Sequence, residues 1–206
     1  MFFEPFKVAV GVSLVLLSSC GTAPEQPLVH ESQAAEVATI GAGEPLGIRD
    51  LEGFLPTALP GLRRVETGGD RGSVLGMSTS RATALYTPVP GGEEVPQRDS
   101  TLQIRVRLTD LGPLRGRETI EQDGWIPTSV DRESSSGSER TFMLSGYPAH
   151  EIYSTSSGPS YGEIQVIVAR RFVVEVSGRG AELELLHETI GSLDLRRLEL
   201  LAPTPE

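Results

Sequence analysis

The chain predicts an α+β fold: an antiparallel sheet of about five to seven strands, helices packed on one face, and a C-terminal helix after the last hairpin. Three observations carry that expectation. Leu102, Ile104, Val106 and Leu108 alternate with Gln103, Arg105 and Arg107, and period-two alternation puts one face of a strand on a core and the other in water. Glu163–Val168 and Phe172–Ser177 repeat the pattern on either side of Ala169-Arg170-Arg171, as a hairpin does. Leu183, Leu186 and Ile190 then fall at i, i+3 and i+7, which is one face of a helix. Strands and helices that cluster rather than alternate give α+β.

The segment before the domain is of another kind. Lys7 and the α-amine precede a ten-residue apolar run, Val8 to Leu17, and Leu17-Ser18-Ser19-Cys20 follows. Charged start, short apolar stretch and small residues before a cut form a secretory signal. The run is too short to span a hydrocarbon layer of roughly 30 Å. Leu-Ser-Ser-Cys resembles the lipobox of bacterial lipoproteins. The resemblance implies that residues 1–19 are removed and that Cys20, the only cysteine, carries a diacylglyceryl thioether and an acylated amine. Two or more acyl chains anchor stably where one does not. Gly21 after the cysteine, rather than Asp, implies the outer membrane, with the domain facing the periplasm.

Residues 20–49 are rich in Ala, Gly, Pro, Glu and Gln and lack aromatics. Such a stretch buries too little apolar area to offset its ordering entropy, so it reads as a flexible tether. The domain is expected over 50–201, with a short tail over 202–206. Asp50 is the expected N-cap of a helical turn through Leu51 and Phe54, stopped by Pro56. Pro60-Gly61 turns the chain into a strand near Leu62–Glu66. Met77–Thr87 is Thr- and Ser-rich and extended, and Gly91 to Pro96 is a loop. After the strand Thr101–Thr109, Gly112–Asp123 is expected to be helical, with Trp125 as a core or hinge anchor. Ser134 to Ser138 reads as a loop. Arg140–Leu144 and Tyr147–Tyr153 form a hairpin about Ser145-Gly146, with Pro148 pointing to an edge strand. Gly178-Arg179-Gly180 leads into the final helix, whose Glu182 and Glu184 complement its N-terminal dipole and whose end is marked by Gly191. A short turn follows over Asp194–Leu201.

Composition narrows the function classes. The net charge is −10, and removing residues 1–19 takes away Glu4 and Lys7, one of each sign. A net negative surface disfavours nucleic acid as a partner, because neutralising phosphates needs a basic one. Lys7 is the only lysine, so every basic side chain after it is arginine, as GC-rich codon usage favours. With Cys20 lipidated no thiol remains for a disulfide, a metal or nucleophilic catalysis.

Four patterns bear on chemistry. Gly158-Pro159-Ser160-Tyr161-Gly162 fits G-x-S-x-G, and His187 lies downstream with several Glu residues between. A nucleophile elbow needs a strand before the serine and a helix after it. Here a Ser- and Gly-rich loop precedes and a strand follows, so the segment reads as a hairpin loop. Gly178-x-Gly180 sits between strand and helix, but Leu183 stands where a dinucleotide fingerprint wants Gly or Ala, and Glu182 and Glu184 would repel a pyrophosphate. Glu184-x-x-His187 is one copy of a pair that di-iron sites use twice. His150 and Glu151 are strand neighbours and point to opposite faces. No metal and no cofactor is therefore expected.

The expected function is a membrane-anchored envelope lipoprotein with a non-catalytic binding domain, whose partner is a protein or small molecule. The alternative from another class is a serine-dependent hydrolase using Ser160 and His187. A third possibility, a carrier of a hydrophobic ligand, would need an apolar cavity.

Overall fold

The computed structural model describes residues 44–74, 77–90, 101–112, 129–156 and 158–202. The leader, Cys20, the expected Gly91–Pro96 loop, Trp125 and the expected helix beyond Gly112 lie outside the described residues. So does the tail after Ala202.

Among the described residues nine strands form one sheet. They are β1 (Ala58–Leu59), β2 (Leu62–Val74), β3 (Met77–Pro88), β4 (Gln103–Asp110), β5 (Asp131–Ser134), β6 (Gly137–Leu144), β7 (Tyr147–Ser154), β8 (Tyr161–Val168) and β9 (Phe172–Arg179). The spatial order is β1-β2-β3-β4-β9-β8-β7-β6-β5, antiparallel throughout. The chain thus runs as two meanders. β1 to β4 proceeds inward, the chain moves to the far edge, and β5 to β9 returns until β9 pairs with β4, placing Val106 opposite Val176. The helices are α1 (Ile48–Glu52), α2 (Leu183–Gly191) and α3 (Leu195–Glu199). None of the described helices is long and apolar enough to cross a membrane.

The antiparallel sheet and the C-terminal helix match the sequence. The count of five to seven strands does not. β1 has only two residues, and β5 is Asp-Arg-Glu-Ser with every side chain exposed, so neither carries a hydrophobic period. The expected loop Ser134 to Ser138 is correspondingly a tight turn, with Ser134 and Gly137 paired across it.

Three finer expectations are also corrected. The N-cap of α1 is Gly47, and Asp50 lies inside the first turn, where its charge faces the positive end of the helix dipole. Leu46 is buried and Ile48–Arg49 are helical, although the sequence places all three in the tether. Pro148 is on an interior strand, since β7 pairs with both β6 and β8. It is tolerated because the β7–β8 ladder begins only at Ala149, which leaves Pro148 outside that ladder. The turn beside it is as expected. Ser145 and Gly146 have φ of 53° and 92°, the pair of left-handed residues that a two-residue hairpin with the sheet's own twist requires.

The main core lies on one face, and Leu111, Ile167 and Val173 form a small buried cluster on the other. Tyr86, Ile104, Val106, Ile164, Val166, Val174 and Val176 meet Leu51 of α1, Leu186 and Ile190 of α2 and Leu198 of α3 in one cluster. Opposite residues Gly162 and Gly178 form a notch in this face. A Cβ on Gly178 would stand 2.8 Å from Leu186 Cδ2, and one on Gly162 would collide with Leu186 Cδ1. Two side-chain-free positions side by side let the helix approach the sheet closely. That is the work of Gly178 and of the last glycine in the G-x-S-x-G match.

At the end of β4 a buried ion pair ties four segments together. Asp110 is 0 % exposed and Arg171 2 %. Arg171 Nε and Nη2 donate to Asp110 Oδ1 and Oδ2 at 2.8 and 2.7 Å. The amides of Gly112 and Leu46 each donate to the same carboxylate at 2.8 Å. Arg171 Nη1 donates to the carbonyl of Leu201 at 2.9 Å, and the guanidinium lies 4.8 Å from the Phe172 ring centroid. The first and last described segments are therefore both fastened to one pair. The β8–β9 turn that presents Arg171 holds Ala169 and Arg170 at φ of 52°, a left-handed conformation that costs a non-glycine residue about 1 kcal/mol or more.

Candidate functional site

The second buried carboxylate differs from the first in having an open side. β7 points Glu151 to the core face, in line with Ile164 on β8 and Arg140 on β6. It is 1 % exposed. Arg140 Nε and Nη2 donate to Glu151 Oε1 and Oε2 at 2.8 and 3.2 Å. His187, from the middle of α2, brings Nε2 to 2.5 Å from Oε2. The Arg140 guanidinium stands 5.1 Å from the Phe142 ring centroid, and the Phe142 and His187 rings are 5.9 Å apart. Arg140 and His187 remain 46 % and 30 % exposed at their side chains. Cation, imidazole and aromatic ring thus present one surface to solvent over a buried anion.

Along the same side of α2 the surface deepens. Between the β6–β7 turn and the α2–α3 corner lies a groove of about 470 Å³, lined by Leu144, Tyr147, Ile190, Leu193, Asp194 and Glu199 among others. That volume falls within the range of small-ligand sites. Asp194 caps α3, accepting from the Arg197 amide at 2.9 Å. Tyr147 OH donates to Glu199 Oε2 at 2.9 Å, and burial together with that carboxylate raises the tyrosine pKa. Its lining mixes Leu144, Ile190 and Leu193 with Tyr147, Asp194, Arg196 and Glu199.

The serine and histidine singled out in the sequence have separate partners. Ser160 precedes β8 and its Oγ donates to the carbonyl of Ala181 at 2.8 Å. His187 is engaged by Glu151 and Arg140. Neither bonds the other. Gly180, with φ of 68°, allows the turn that brings Ala181 back to Ser160, and its amide donates to the Ser160 carbonyl at 2.7 Å. Ser160 thereby fastens the entry of α2. The Glu184-x-x-His187 pair is likewise not the one the fold uses, because Glu151 is the partner of His187. His150 does point to the face opposite Glu151, where its Nε2 lies 3.2 Å from Glu139 Oε1. No group of three or more His, Cys, Asp or Glu able to hold a metal occurs among the described residues.

That opposite face carries a polar ladder. Arg107 binds Glu175 with both oxygens, at 2.7 and 2.9 Å. Burial and the nearby Glu163 nevertheless push the Glu175 carboxyl up. Tyr161 OH donates to Glu163 at 2.5 Å, and burial plus that carboxylate raise its pKa well beyond the ordinary range.

Sequence reasoning missed Glu151 and Arg140. The signal was present: each is a charge in the inward phase of its strand, between Ala149 and Tyr153 and beside Phe142. No family model, no curated protein and no solved structure matches this chain.

Proposed function

We propose that the chain is a lipid-anchored envelope lipoprotein, held through Cys20 on the periplasmic side of the outer membrane, whose folded domain is a non-catalytic binding module. The Leu17-Ser18-Ser19-Cys20 sequence supports the anchor. The observation that carries the binding reading over the hydrolase reading is the separate commitment of Ser160 and His187. A nucleophile needs its base within hydrogen-bond reach, whereas Ser160 gives its proton to Ala181 and His187 holds Glu151. The recognition surface is the side of α2 that runs from Arg140, Phe142 and His187 to the groove at Tyr147 and Leu193. A protein segment or small molecule with an apolar body and polar ends fits it.

Two measurements test the two halves. Metabolic labelling with palmitate should mark the wild type and not Cys20→Ala, and the variant should leave the membrane fraction or remain uncleaved. Label on the variant would remove the anchor. A fluorophosphonate probe should leave Ser160 unmodified; labelling that Ser160→Ala abolishes would establish the hydrolase instead.

A further inference from the structure

The two edges of the sheet are not alike. β5 closes one edge with four residues, three of them charged. Short charged edges resist pairing with other chains. β2 forms the other edge for most of its 13 residues, because β1 pairs only with Leu62 and Arg63. From Arg64 onward its outer side has no partner strand among the described residues. Eight consecutive residues, Glu66 to Ser73, are exposed, about 26 Å of strand at the usual rise. The stretch contains neither proline nor lysine, the residues that commonly guard an edge, and a register shift between Arg64 and Glu66 marks its start. A Cβ on Gly68 would meet no atom within 4 Å, whereas one on Gly69 would collide with Ile48 of α1.

We infer that the β2 edge is a self-association surface on which a second copy of this chain pairs antiparallel through Glu66–Ser73, joining two sheets into one. Charge selects that occupant. The chain is −10 overall, so two copies repel, yet Glu66 to Ser73 carries Glu66 and Asp70 against Arg71, a net charge of only −1, and the two-fold pairing sets Asp70 of one copy diagonal to Arg71 of the other. Reversal by a two-fold axis also lets the same strand satisfy itself in both copies, as an isologous interface requires. A seam of backbone hydrogen bonds with few large side chains lacks the anchors that make interfaces tight, so the pairing is weak and concentration-dependent. It rests on the strand and not on the lipid anchor.

The test uses the full chain with Cys20→Ser, so that neither acyl chains nor a thiol can drive association. Sedimentation velocity in high salt, which screens repulsion between acidic chains, should show a mass rising toward the dimer with concentration. Successive strand residues send their N–H groups to opposite sides. One of Thr67→Pro and Gly68→Pro therefore spares the β2–β3 ladder, and the one with the smaller loss of melting temperature is diagnostic. It should bind its own copy at least about tenfold more weakly, near 1.4 kcal/mol. Arg71→Glu, which removes the only cation of the seam and takes it from −1 to −3 in each copy, should do the same without proline's backbone effect. A parent chain that stays monomeric at every concentration overturns the proposal, as does association unchanged in Arg71→Glu; an edge that pairs with a different extended polypeptide would give the first result.

Discussion

Asp110 and Glu151 are both buried carboxylates gripped by an arginine with two bonds, yet one is sealed and the other is not. Around Asp110 every acceptor position has a donor from inside the fold: two from Arg171 and one each from the Leu46 and Gly112 amides. Its arginine is 3 % exposed at the side chain. Around Glu151 the donors are Arg140 and His187, both partly in water. The first arrangement fixes chain ends and has no surface to offer. The second exposes a cation and an imidazole whose positions are set from beneath. A buried ion pair is thus structural or addressable according to whether its partners keep a solvent face.

Four changes sharpen or break that comparison. Asp110→Ala should be the most damaging, because it leaves Arg171 buried and unpaired and two amides without an acceptor. Removing one partner of a buried pair typically costs about 3–5 kcal/mol, and chemical denaturation should read a loss of that order. Replacing both partners by apolar residues often spares a protein that loss, but here the Leu46 and Gly112 amides would remain orphaned, so Asp110→Leu with Arg171→Met should not recover wild-type stability. Full recovery would mean that the backbone donors contribute nothing.

Glu151→Gln should cost less, about 1–3 kcal/mol, since Arg140 and His187 can turn to water. A cost equal to that of Asp110→Ala would erase the distinction between the two sites. Next comes Ser160→Ala. Its lost bond to the Ala181 carbonyl should cost about 1 kcal/mol, measured by thermal melting, and any binding by the domain should survive.

The smallest effect is one of pH. The Glu175 carboxyl is raised in the fold by burial and Glu163. The folded protein therefore holds that proton to higher pH than the unfolded chain does. Stability from this group is present below its ordinary pKa and lost as pH climbs through the raised value. Glu175→Gln should flatten that part of the stability–pH curve, whereas the slope should persist in Glu151→Gln. An unchanged curve in Glu175→Gln would remove the effect.

Much of the architecture was legible, and for a definable reason. Leu102 to Leu108, Ile164 to Val168 and Phe172 to Val176 each set alternate residues on the main core, and all ten of those inward side chains are buried. Leu186 and Ile190 are buried for the same reason on a helix. β5 was illegible because nothing on it is buried. Of the candidate site, His187 was visible as a lone imidazole, but its partner was sought three residues away on the helix rather than across the sheet. The sequence names Glu151 only as the strand neighbour of His150, and Arg140 only as the start of a hairpin strand. Their inward phase marked them, and only the pairing of β6 with β7 made them neighbours.

The sequence by itself determined the antiparallel strands, the terminal helix and the turn at Ser145-Gly146, because periodicity and left-handed turn residues act between near neighbours. It also holds the lipobox-like Leu17-Ser18-Ser19-Cys20. Only the tertiary structure decided that β9 pairs with β4, that Gly162 and Gly178 stand together beneath Leu186, and that His187 meets Glu151 rather than Ser160. The pairs Gly162 with Gly178, Glu151 with His187, and β4 with β9 lie 16 to 76 positions apart. Local periodicity says which face a side chain points to, and the order of strands across the sheet says what it meets there.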